Sequence, residues 1–251
     1  MNPKTKVVTA ILLWALIYFG GLYFIPSLSP VRSLRETWTW LGSGDVTQSL
    51  FLNFSMTAML AIGRGELGAF GFKAVRPGTL IKPVLISAGL SAGLFVLGMI
   101  AMVIIEGPPS SGGGGSAEGG MREVMPTFLK TVISIWIVAS TCEEIFYRGL
   151  VQTLLDPLRW YGFKFLKIRL SAPVLISGVV FGLGHLCLLR MFGGVFLGQI
   201  IVSCTVVGVV AAYYREKTGS LLPAIAAHMT ANVVGYTIPQ ILMRLAGEQG
   251  G

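Results

Sequence analysis

The stretch Phe128 to Leu155, FLKTVISIWIVASTCEEIFYRGLVQTLL, reads as a membrane helix except for two adjacent acids, Glu143 and Glu144, and the arginine Arg148. A carboxylate near the bilayer centre costs at least roughly 2.5 to 3.5 kcal/mol on insertion scales, so a chain that carries two in succession is expected to use them. The stretch therefore points to a functional site within the membrane.

Composition around it agrees. With 53% hydrophobic residues and only 12% charged among 251, and a mean hydropathy of +0.75, the chain is too apolar for a soluble globule, where about a quarter of residues are charged. The expected fold is all-α, a polytopic transmembrane bundle forming a single membrane-embedded domain over residues 1–251. At about 20 apolar residues per span, seven candidates emerge: Val7 to Ile25, Leu50 to Ile62, Ile81 to Ile105, Phe128 to Leu155, Ala172 to Leu189, Phe192 to Tyr214 and Leu221 to Met243. The second is short, and the long third and fourth have room for a break, so six to eight is the working range. The first reads as a retained helix, its apolar run being longer than a signal-peptide core and followed by Pro26 and Pro30.

Basic residues stay on the cytoplasmic side of membrane proteins. An inside N-terminus places Lys4, Lys6, Arg64, Lys73, Arg76, Lys82, Arg159, Lys164, Lys167, Arg169, Arg215 and Lys217 in the cytoplasm, against Arg32, Arg35, Arg122, Arg190 and Arg244 outside. The net charge of +8 is thus a topology signal, spread over four cytoplasmic segments, and not a nucleic-acid footprint. The outer loop 106–122, rich in Gly and Ser, reads as a flexible linker. Cys142, Cys187 and Cys204 form no CxxC pair and read as packing residues.

Histidine is scarce, and both copies, His185 and His228, fall within predicted spans. Phe181 lies four residues before His185, and Asn232 four after His228, so each pair shares a helix face. At a rise of 1.5 Å per residue, Glu143 lies about 22 Å into its helix from Phe128, His228 about 10 Å above Leu221 and His185 at most about 20 Å above Ala172. On these depths the three groups are expected to meet in the cytoplasmic half of the bilayer. Glu144 and Arg148 stand at i and i+4 with the acid first, the favourable order for an ion pair. Glu143, turned by about 100°, is left to act as a general base. Acting alone, the same residues would read as a buried polar cluster tying helices together.

Three motifs now stand in order: Glu143-Glu144-Ile145-Phe146-Tyr147-Arg148 as EExxxR, Phe181 to His185 as FxxxH and His228 to Asn232 as HxxxN. The set resembles the CPBP (ABI) family of intramembrane endopeptidases, which includes the CAAX prenyl proteases. The resemblance implies catalytic core helices over 128–243 and a site open to cytosol and lipid. The implied substrate is a membrane-associated peptide or protein, bearing a prenylated cysteine in the CAAX branch, with no nucleic acid involved. It also implies that Glu143, with His185, activates water, that His228 and Asn232 stabilise the oxyanion, and that Glu144, Arg148 and Phe181 support them.

The residues favour no cofactor. Without an HExxH motif, a zinc site would have to take Glu143, His185 and His228 as ligands and would leave no separate base except Glu144, already matched to Arg148. Three alternatives remain open on the sequence alone: that zinc-dependent form of the protease, a non-proteolytic scaffold or bacteriocin-immunity-type protein, and a transporter using Glu143 and His185 as a proton relay.

Overall fold

Helix α1 starts where the sequence provides a cap: Asn2 Oδ1 accepts the Thr5 amide at 2.8 Å and Pro3 opens the first turn, giving Pro3–Ala15. In this computed structural model, which describes residues 1–37, 43–107, 128–190, 192 and 194–248, α1 continues through wider π turns over Leu16–Phe24. Next come α2 (Ser29–Thr37), α3 (Ser43–Gly63) and α4 (Ile81–Glu106).

Helix α5 spans 128–154 and alternates in character. Ser140–Glu144 is an α turn set between π stretches at Thr131–Ala139 and Ile145–Val151. After it come α6 (Ala172–Gly184), a 3-10 turn at His185–Arg190, α7 (Gly194–Thr218) and α8 (Leu222–Glu248). Helices thus occupy all seven places expected from the sequence.

Among the described residues four of these segments are long and apolar enough to cross a membrane: Pro3–Gly21, Pro77–Glu106, Ala172–Leu189 and Gly194–Thr218. The Gln48–Gly63 part of α3 is a shorter apolar helix, in keeping with the second span being the weakest of the seven. Helix α5 carries the acids and Arg148, and α8 contains Pro239 within its run. The glycine-rich loop lies outside the described residues beyond Gly107.

Burial inverts the usual order. Leu85, Leu97 and Ile104 on α4 and Leu12 on α1 are exposed, as befits faces turned to lipid, since soluble proteins rarely leave contiguous apolar patches of this kind uncovered. Every residue of α5 from Glu144 to Gln152 is buried. The helix with the most charge is therefore the centre of the bundle, and its polar groups are met by partners on neighbouring helices: Gln152 Nε2 donates to Ala212 O at 3.0 Å and Ser177 Oγ to Tyr147 O at 3.3 Å. Ser87 Oγ on α4 donates to Ala227 O at 2.5 Å and fixes the depth of α8 beside His228.

Helices α6 and α7 approach closely through glycines. A Cβ on Gly182 would run into Thr205 Oγ1 and lie 2.8 Å from the Ile201 carbonyl, and one on Gly178 would lie 2.8 Å from the Val209 amide nitrogen. Small residues one turn apart let membrane helices pack backbone to backbone. We expect Gly182→Ala to cost about 1 to 3 kcal/mol of stability by overpacking, measured as a lower thermal midpoint in detergent, with Gly235→Ala, which meets nothing within 4 Å, as the unaffected control.

Between α5 and α6 the sequence suggests only a basic connection, and the structure adds an antiparallel hairpin. Strands β1 (Gly162–Phe165) and β2 (Ile168–Ser171) pair Phe163 with Leu170 and Lys164 with Arg169. Leu166 turns the chain with φ of 54°.

Candidate active site

Helix α5 presents its two acids to different surroundings. The Glu144 side chain has no exposed surface, whereas that of Glu143 keeps 15%. Glu144 Oε1 accepts from Arg148 Nη1 at 2.8 Å and from His228 Nδ1 at 2.9 Å. The one-turn spacing of Glu144 and Arg148 thus forms the ion pair read from the sequence.

Arg148 is fully buried and is held on three sides. Its Nη2 donates to Gly208 O at 2.9 Å, and its guanidinium carbon stands 4.5 Å from the centre of the Phe181 ring. Gly208 must be glycine-small here, because a Cβ would come within 2.9 Å of Arg148 Nη2.

Phe181 is the aromatic hub of the cluster. Its ring meets His185 at 5.1 Å, His228 at 5.0 Å and Tyr147 at 5.2 Å between centroids, each edge to face. Both imidazoles therefore flank one benzene ring, and the FxxxH and HxxxN motifs meet at the EExxxR helix as their depths suggest.

Each neutral histidine has a defined tautomer. His185 Nδ1 lies 3.0 Å from Phe181 O, and His228 Nδ1 faces the Glu144 carboxylate. Both partners only accept, so Nδ1 carries the hydrogen and Nε2 is left with a lone pair. His228 Nε2 stands 3.9 Å from Glu143 Oε2.

Asn232 is placed differently from the other motif residues. Its Nδ2 donates to Ile135 O at 3.2 Å and to Ser140 Oγ at 2.9 Å, so its amide hydrogens tie α8 to the upper part of α5. Helical spacing places Asn232 on the His228 face without revealing this commitment.

Gln48 is the residue that motif reading missed. From α3, 95 positions before its partner, its Nε2 donates to Glu143 Oε1 at 2.6 Å. Phe51, on the next turn, stacks on Phe146 of α5 at 5.1 Å and sets the register between the two helices. A lone Gln at the margin of a short span gives no periodic or spacing signal, and only its polarity in an apolar neighbourhood hints at it.

Among the described residues no group of three His, Cys, Asp or Glu side chains is disposed to hold a metal ion. Glu143, His185 and His228 do not form such a set. The three cysteines are free thiols.

No curated protein and no solved structure matches the chain. Residues 125–234 do match a family model, described as Rce1-like, type II CAAX prenyl endopeptidase. The family implies a membrane protease of the CAAX type in general, acting on membrane-associated proteins. The matched segment contains Glu143, Glu144, Arg148, Phe181, His185, His228 and Asn232 and bears out, over that part of the chain, the resemblance carried by its three motifs.

Proposed function

We propose that this chain hydrolyses a peptide bond of a membrane-associated substrate with Glu143 as the base, without a metal. The observation that carries the reading is the split between the acids: Glu144 is sealed between Arg148 and His228, while Glu143 keeps an exposed edge and a carboxylate oxygen facing His228 Nε2.

In this reading a water between Glu143 Oε2 and His185 Nε2 gives a proton to Glu143 as its oxygen attacks the substrate carbonyl carbon. His228, once solvent has placed a proton on Nε2 as well, offers Nε2–H to the developing oxyanion, and the Glu144 carboxylate at Nδ1 steadies the imidazolium, the role an orienting acid plays in a catalytic triad. Asn232 becomes the second oxyanion donor by exchanging its Ser140 bond for the substrate oxygen. As the carbon–nitrogen bond breaks, the proton held by Glu143 passes to the leaving nitrogen, yielding an amine and a carboxylic acid that then ionises to solvent. Arg148 and Phe181 hold Glu144 and the two imidazoles in register.

The basic segments favour a cytoplasmic N-terminus and a site opening to the cytosol. A lipid-accessible site suits a prenylated cysteine followed by a short C-terminal tail, the substrate type of the CAAX branch.

The test is cleavage by the purified chain in lipid of such a prenylated peptide and its unprenylated counterpart, with and without a strong chelator. We expect cleavage of the prenylated peptide, undiminished by chelation. Failure of the folded protein to cut either peptide rejects the protease. Loss on chelation, reversed by zinc, rejects the metal-free mechanism alone.

A further inference from the structure

The β1–β2 hairpin has two unlike faces. Its register places Phe163 opposite Leu170 and Phe165 opposite Ile168 on one side, and Lys164 opposite Arg169 on the other. Most of these side chains are exposed, as are Trp160 at 81% and the turn residue Leu166 at 85%. The segment 157–171 holds Arg159, Lys164, Lys167 and Arg169 and no acid. Arg169 Nη2 donates to the Trp160 carbonyl at 2.9 Å, which presses the aromatic approach against the hairpin.

Ser171 ends the hairpin and caps α6, whose membrane-crossing segment begins at the next residue. The hairpin thus lies at the bilayer boundary, where tryptophan and tyrosine concentrate and basic residues meet anionic headgroups. We propose that it is a membrane-interface anchor, with its aromatic face in the acyl-headgroup boundary and Lys164 and Lys167 reaching to anionic lipid.

Single copies of the full chain in nanodiscs of phosphatidylcholine, alone or mixed with phosphatidylserine, provide the test. The difference between wild type and Trp160→Phe isolates the Trp160 emission. Expected are a blue-shifted Trp160 signal, quenching by lipids with brominated tails, and a further increase with phosphatidylserine that Lys164→Gln with Lys167→Gln removes. Water-like, unquenched emission in both lipids overturns the proposal, as does a blue shift that appears only when two copies share a disc.

A second, independent observation concerns Gln48, which lies outside the segment matching the family. It is nine-tenths buried; its Nε2 holds Glu143 Oε1, and its Oε1, on the same planar amide, has no hydrogen-bond partner among the described residues. Because Glu143 only accepts when ionised, the amide cannot flip to satisfy that oxygen. An orphaned buried acceptor beside the reacting carboxylate is costly unless something arrives to fill it. Resting on the protease reading above, we infer that Gln48 is a positioning residue with two tasks: it fixes Glu143 so that Oε2 is the working oxygen, and it accepts a backbone N–H of the bound substrate.

The experiment uses the prenylated peptide and a series in which each amide N–H near the cleavage site is replaced in turn by an ester oxygen. Gln48→Met should lower kcat/KM about 10- to 100-fold, the scale of one or two lost hydrogen bonds. One ester replacement should cost the wild type about 10-fold and the variant nothing, since their shared hydrogen bond is already gone. Gln48→Asn, which keeps a polar amide, should fall between the two and guards against a folding defect. If Gln48→Met matches wild type, or every ester costs both proteins alike, the inference fails while the protease stands. If folded wild type cuts no peptide, both fall together.

Discussion

Glu143→Gln is expected to abolish turnover while leaving the protein folded, with kcat reduced by about 10²- to 10⁴-fold, the usual worth of a positioned general base. The substitution is nearly isosteric. Its remaining amide oxygen can still accept from Gln48 Nε2, so the α3 to α5 contact at 2.6 Å has a replacement. What is lost is the ability to take a proton from water. Because the side chain keeps an exposed edge, no buried charge is stranded, and the thermal midpoint should stay close to that of wild type. The measurement is single-turnover cleavage alongside the melting curve. Unchanged turnover removes Glu143 as the base. The informative alternative is a folded Glu144→Gln that loses all activity while Glu143→Gln retains it, which would interchange the two roles.

The different surroundings of the two acids were partly legible in sequence because they rest on local geometry. Glu144 and Arg148 are one turn apart, as are Phe181 and His185, and a helix places such residues side by side whatever the rest of the fold does. Seven helices could be read for a similar reason, since an apolar run of the right length has few other fates.

Contacts across the bundle were not legible in this way. Depth arithmetic places His228 near the acids, but depth leaves rotation free. Only the structure shows Nδ1 on Glu144 and Nε2 turned toward Glu143. Asn232 shares a face with His228, yet its hydrogens are drawn to Ile135 and Ser140 by packing between α8 and α5. Gln48 lies just before the shortest of the seven spans read from the sequence, Leu50 to Ile62, and its contact with Glu143 has no period to reveal it. The hairpin was hidden because a short, basic, aromatic connection carries a positive-inside signal that is the same for a strand pair and for a loop.

Arg148→Met is expected to cost about 3 to 5 kcal/mol of stability, because it removes the guanidinium partner of Glu144 in the centre of the bundle and leaves the buried carboxylate only His228. The same change removes the donor to Gly208 O and the cation over Phe181. The pair itself adds little net stability: Glu144 Oε2 and Arg148 Nε have no hydrogen-bond partner among the described residues, so part of the desolvation cost of both ions is not repaid. It follows that Glu144→Gln combined with Arg148→Met should recover most of the stability lost by Arg148→Met alone. Activity should not return with it, because His228 Nδ1 then faces a neutral amide where a carboxylate steadied its charge. Thermal midpoints in detergent and turnover in lipid, measured on the single and double variants, separate the two contributions. A double variant as unstable as Arg148→Met would show that lost packing, not a stranded carboxylate, sets the cost. A double variant with wild-type turnover would show that His228 works without its acid.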